Sequence, residues 1–128
     1  MAETILLIDD DKSLRRVTEY NLAEAGFNLI TASSGREGLV LFKKSNPDLV
    51  ITDVKLGDMD GLEVLAAIKR ESPEIPVIVI TSKDVTHEEM KLLEEDVAAI
   101  LQKGAYTRQE LLEQVSSAVN RCVAKDNH

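Results

Sequence analysis

Three aspartates in a row, Asp9, Asp10 and Asp11, stand where the apolar run ILLI ends. Asp53 closes a second apolar run, Thr81 and Ser82 a third, and Lys103 a fourth. Carboxylates gathered in one crevice repel. Two unit charges about 4 Å apart cost about 1 kcal/mol in water and about 4 kcal/mol at an effective dielectric of about 20. Such a gathering needs a cation. An oxygen-only cluster suits Mg2+, which keeps waters and takes one or two carboxylates plus phosphate oxygens. Lys103 adds a fixed positive charge and Thr81 a hydroxyl donor. Metal, ammonium and hydroxyl together would surround a phosphoryl group carried on a carboxylate. Asp53 is the natural acceptor, because an aspartate can act as a phosphoryl nucleophile. Phosphoryl transfer asks the protein mainly for positioning and charge compensation. No histidine base is required, and His87 and His128 read as exposed and inert. Taken singly, each residue has a plainer use: Asp53 as a turn acid, Asp9 or Asp10 as a helix cap, Thr81 as a filler, Lys103 as a solvated charge. Their joint placement favours the site.

The elements must bring these residues to one edge. Strands are predicted over 4–9, 27–32, 48–53, 76–81 and 98–103, and most are apolar without polar alternation. Helices are predicted over 12–26, 34–45, 61–72, 86–96 and 107–123. In the first, Leu14, Val17 and Leu22 fall at helical spacing, and Gly26 stops it. Ser34 with Glu37, Thr86 with Glu89 and Thr107 with Glu110 have capping-box spacing. Asp60 and Glu63 open the third helix, and Asn46-Pro47 ends the second. The order is (βα)5. Strands apolar on both faces mean a parallel sheet with helices on both sides. In such sheets ligands bind at the carboxyl ends of the strands, which is where the acids, Thr81 and Lys103 fall.

The chain of 128 residues is read as one domain with its core over about 3–123 and a polar tail at 124–128. Hydrophobic residues make up 44% and aromatics 3%, so aliphatic side chains must fill the core. The net charge of −8 argues against direct nucleic-acid binding and against an anionic membrane surface. One cysteine, Cys122, allows no intrachain disulfide and fits a cytoplasmic setting. No apolar run approaches the ~18 residues of a membrane span, so no membrane insertion is expected.

The chain resembles the receiver domains of bacterial two-component response regulators. IDDDKSLRR resembles the family's acidic pair and first helix. DLVITDVKLGDMDGLEVL resembles the acceptor strand and its loop, IPVIVITS the fourth strand, and ILQKGAYTRQELLEQV the lysine strand and last helix. The resemblance implies a flavodoxin-like receiver fold, α/β, with a parallel five-stranded sheet in the order 2-1-3-4-5. It implies Asp53 as phosphoacceptor, Thr81 as switch hydroxyl and Lys103 as the phosphate-pairing lysine. It implies Mg2+ held by Asp9, Asp10, Asp53 and the backbone carbonyl of Lys55. The implied partners are a sensor histidine kinase or histidine phosphotransfer protein, and a downstream protein on the surface of the fourth helix, fifth strand and fifth helix. A weak homodimer is a further option. The TSKDVTHEEM and ILQKG segments look most like receivers fused to hybrid sensor kinases.

Three positions depart from the family pattern. Gly104 follows the lysine in place of proline, so a trans bond is expected. Ile100 stands at the position of the rotating aromatic. Gly57 replaces a loop proline and should loosen that loop. Lys55 and Lys83 are expected to flank the acceptor and tune the phosphoryl lifetime; the plainer reading is two solvated loop lysines. Three other functions compete. One is a degenerate receiver acting as a phosphorylation-independent interaction module. A second is a phosphohydrolase of haloacid-dehalogenase type, with Asp9 as nucleophile and Asp11 as acid. A third, a flavin binder, fits poorly with the acidic crevice and scarce aromatics.

Overall fold

A computed structural model describes residues 3–54, 56–81, 86–88, 90–91 and 97–126, with side chains up to Asn120 in the last helix. Five parallel strands form one sheet: β1 (Thr4–Ile8), β2 (Asn28–Ala32), β3 (Leu49–Asp53), β4 (Val77–Thr81) and β5 (Ala99–Gln102). Their order is β2-β1-β3-β4-β5, as the resemblance implied. The helices α1 (Lys12–Glu24), α2 (Gly35–Ser45) and α3 (Gly61–Glu71) and the last helix (Arg108–Asp126) cover it. Of the helix read over 86–96, His87, Glu88, Met90 and Lys91 are helical, and Met90 N–H donates to Thr86 O at 3.0 Å. The remainder, with Glu89, lies outside the described residues. The last helix runs three residues past Val123, so 124–126 continue the helix rather than forming a tail.

Strand alternation sorts the core into two layers. Leu6, Ile8, Val50, Val77 and Val79 face one way, where Phe42 of α2 and Val64, Leu65 and Ile68 of α3 cover them. Ile5, Leu7, Ile51, Ile78 and Ile80 face the other way, toward Leu22 of α1 and Leu111, Val115 and Val119 of the last helix. Burying one such aliphatic side chain contributes roughly 1.5–3 kcal/mol, so this double coverage outweighs any single cap or ion pair.

The caps set where the helices begin and end. Ser34 Oγ accepts from Glu37 N–H (3.1 Å), while Glu37 Oε1 accepts from Ser33 N–H (2.7 Å), one residue earlier than a standard box. Thr107 Oγ1 accepts from Glu110 N–H (3.1 Å), and Asp60 Oδ1 from Leu62 N–H (3.0 Å). After α1, Gly26 takes φ +101°, and paired bonds run from Gly26 N–H to Ala23 O and from Phe27 N–H to Leu22 O. That is a Schellman stop.

One of the apolar residues at helical spacing in α1 does not reach the core. Val17 is 57% exposed, while Thr18 beside it is buried. The rotation of α1 is fixed at its start, where Asp11 caps it and Arg15 Nη1 donates to Asp9 O at 2.8 Å. That phase turns Thr18, not Val17, inward.

Candidate functional site

Sheet register brings the acids together. Ile8 of β1 lies beside Thr52 of β3, so Asp9, the next residue, reaches the level of Asp53. On the other side of β3, Thr81 pairs with Gln102, and Lys103 N–H donates to Thr81 O at 2.8 Å. Asp9, Asp53 and Lys103 continue the alternation of Leu7, Ile51 and Leu101, so all three share one side of the sheet edge.

Asp9 and Asp53 are nearly inaccessible, at 1% and 2%, while Asp10 is exposed. One carboxylate oxygen from each of the three lies within 4.8 Å of the others. Lys103 Nζ lies 2.6 Å from Asp53 Oδ2, an ion pair with one buried member. Burial pulls the Lys103 ammonium down in pKa, but its bond to Asp53 and the charges of Asp53, Asp9 and Asp10 outweigh that, and the net shift is upward. Lys103 therefore stays charged.

The Asp9 pKa is raised as well, which for a carboxylate disfavours the charged form. Burial raises its pKa first; the Asp11 backbone N–H opposes this, and the nearby Asp53 charge adds to the rise. Its Oδ1 accepts from Asp11 N–H at 2.9 Å, but Oδ2 is buried with no hydrogen-bond partner. A buried carboxylate oxygen left unsatisfied is costly. Beside two further carboxylates, that oxygen has the donor chemistry of a site for a hard divalent cation. The residues fit Mg2+.

The three aspartates divide as two and one. Asp11 Oδ1 accepts from Ser13 N–H (3.0 Å) and Leu14 N–H (3.1 Å), so Asp11 is the N-cap of α1. Asp11, the acid that the phosphohydrolase reading requires, is thus engaged as a helix cap. Thr81 is 3% exposed at the end of β4. Lys55, its carbonyl, Ser82 and Lys83 lie outside the described residues, as do the side chain of Cys122 and His128.

Among the described residues no peptide bond is cis, as expected with Gly104 after the lysine. Gly104 takes φ +76°, and Ala105 N–H donates to Gln102 O at 3.0 Å. That glycine conformation suits the third position of a type II turn. Ile100 is partly buried on the α2–α3 side.

Three residues near the site were not singled out from sequence. Arg15 ties α1 to the Asp9 carbonyl. Tyr106, half-buried, bonds through its hydroxyl to Thr18; burial raises its pKa. Asp58 reaches the start of α2. Only Arg15 left a signal, lying one helical turn after the capping acid.

A doubly wound α/β domain whose carboxyl edge carries buried acids closed by a lysine defines the class. Residues 5–116 match the family described as response regulator receiver domain, and the chain belongs to that family. The receiver domain protein from Clostridium thermocellum is 32% identical, with a TM-score of 0.86 over 94% of this chain and 96% of that one. A CheY-like receiver domain protein from Methanospirillum hungatei JF-1 gives a TM-score of 0.91 at 25% identity, covering 98% and 99%. The alkaline phosphatase synthesis transcriptional regulatory protein PhoP of Bacillus subtilis (strain 168) is 37% identical over 84 residues, 66% of this chain and 35% of that protein. This chain spans about a third of the length of the curated relatives it matches. No helix among the described residues is long and apolar enough to cross a membrane.

Proposed function

We propose that the chain is a phosphorylation-dependent switch in which Asp53 accepts a phosphoryl group from the phosphohistidine of a kinase or phosphotransfer protein. An Asp53 oxygen attacks phosphorus, the P–N bond breaks, and the imidazole leaves with its electron pair. Asp9, Asp10 and Asp53, with the Lys55 carbonyl, would hold Mg2+, whose charge offsets the carboxylates and the phosphoryl oxygens. Lys103, already paired with Asp53, is placed to follow the new phosphoryl charge. Thr81 ends the neighbouring strand and supplies the hydroxyl that turns toward it. The downstream surface combines the 86–96 segment, β5 and the last helix. In this reading the domain signals rather than catalyses, and a cytoplasmic location suits its kinase partner.

The observation that carries this reading is the buried, unsatisfied Asp9 Oδ2 beside the Asp53–Lys103 ion pair. The test is an NMR titration with Mg2+ and then beryllofluoride. Amide shifts should concentrate at Asp53, Thr81 and β5. A spectrum unmoved by both reagents would leave only a phosphorylation-independent interaction module. The same titration separates the aspartates: Asp10→Asn should weaken Mg2+ binding severely, and Asp11→Asn should leave it nearly unchanged. Asp11→Ala should cost about 1 kcal/mol of stability as a lost cap. Equal losses of Mg2+ affinity at positions 10 and 11 would contradict the division.

A further inference from the structure

The segment between β3 and α3 is held from outside by an acid that the phosphoryl chemistry does not use. Asp58 Oδ1 accepts from Gly35 N–H at 2.8 Å, and its Oδ2 accepts from Arg36 N–H at 3.0 Å. One carboxylate thus spans the first two backbone N–H groups of α2. Those groups have no partners within the helix, and the helix dipole favours a negative charge there. The two N–H groups, Arg36 first, hold the Asp58 carboxyl below the usual carboxylate range.

The neighbours of Asp58 extend the contact both ways. Met59 lies so close over Gly35 that a β-carbon there would collide with it. On the inner side Leu56 is buried, and a β-carbon on Gly57 would sit 3.6 Å from Asp10 Oδ2. Gly61 N–H, at the far end, donates to Val54 O at 2.7 Å. The segment therefore passes between Asp10 and the start of α2, with Asp58 as its outer peg. The looseness expected from Gly57 meets this restraint one residue later.

We propose that Asp58 is a positioning residue for the cation site: by clasping the first turn of α2 it holds the 56–60 segment, with Gly57 against Asp10. This rests on the Mg2+-dependent reading above. The Asp58 carboxylate is engaged with the two α2 N–H groups and is not among the three carboxylates of the candidate cation site. Its removal leaves all three carboxylates in place and lets the segment relax. Groups bonded directly to metal ligands typically change affinity by about 10–100-fold, and Asp58, acting through the backbone segment, falls at the low end of that range.

The experiment compares Mg2+ affinity, by amide NMR, in the wild type, Asp58→Ala, Asp58→Asn and Asp10→Asn. Asp58→Ala should bind about tenfold more weakly. Asp58→Asn should fall between, because its amide oxygen still accepts one N–H. The Gly35 and Arg36 amides of the wild type should shift during the titration, although neither residue is a ligand. A purely architectural Asp58 would lower the unfolding temperature and leave Mg2+ affinity unchanged; that result overturns the proposal. Should Asp58→Ala not fold, unmoved Gly35 and Arg36 amides together with wild-type affinity in Asp58→Asn would overturn it equally. If Asp10→Asn also binds like the wild type, the metal reading itself falls and takes this inference with it.

Discussion

Asp53→Asn should take up no phosphoryl group. Incubated with acetyl phosphate and Mg2+, the wild type should gain the mass of one phosphoryl group, and the variant should keep its own mass. The substitution keeps the size of the side chain and removes its charge and nucleophilic oxygen, so packing at this 2%-exposed position should survive. Lys103 supplies an internal control. Asp53 is its ion-pair partner at 2.6 Å and leads the influences that raise its pKa against the pull of burial. In the variant the Lys103 pKa should therefore fall, which NMR of the side-chain ammonium can follow. Phosphorylation that persists in Asp53→Asn and maps to Asp9 would restore the phosphohydrolase reading. Phosphorylation absent from both proteins would favour a degenerate receiver.

Asp9→Asn should make the metal-free protein more stable at neutral pH. Burial and the Asp53 charge raise the Asp9 pKa in the folded state above its unfolded value, near 3.9. Raising a carboxylate's folded pKa means that the ionised form opposes folding. The penalty is absent below the unfolded value, grows as pH rises toward the folded value, and is complete above it. Asparagine removes the charge and keeps an oxygen for the Asp11 N–H. The gain should be on the order of 1 kcal/mol at pH 7, a shift of a few degrees in unfolding midpoint, and should vanish in acid. Mg2+ should reverse the ranking. At about 100 times its Kd, a ligand stabilises the protein that binds it by about 2.7 kcal/mol, and Asp9→Asn should forgo most of that. Urea unfolding at two pH values, with and without Mg2+, checks both halves. A variant less stable than the wild type without metal would show that Asp9 is primarily structural.

Much of this site was legible in the sequence because its residues end strands, as Asp53 and Thr81 do, or follow them directly, as Asp9 and Lys103 do. A strand's last residue is fixed by where an apolar run stops, and register then carries it to the edge. Asp9, Asp53, Thr81 and Lys103 follow that logic, and helix starts at Asp11, Ser34, Asp60 and Thr107 follow from local capping chemistry. Contacts between elements distant in sequence were not legible. Asp58 lies 22 residues from Arg36, and nothing in either segment names the other. Tyr106 and Thr18 are a similar case. The exposure of Val17 was not legible either, because apolar spacing gives a helix's period but not its phase. The phase came from Asp11 and from Arg15 gripping the Asp9 carbonyl.

The turn after Lys103 limits how this domain can be re-engineered. Gly104 occupies φ +76°, and proline is confined near −65°. Exchanging that one residue for the proline usual in the family would demand a backbone the turn does not have. A chimera borrowing this region from a relative must therefore take the lysine, the whole turn and the first residues of the helix as one cassette. Within this backbone, Gly104 and Tyr106 belong to the same inheritable unit as the lysine they follow.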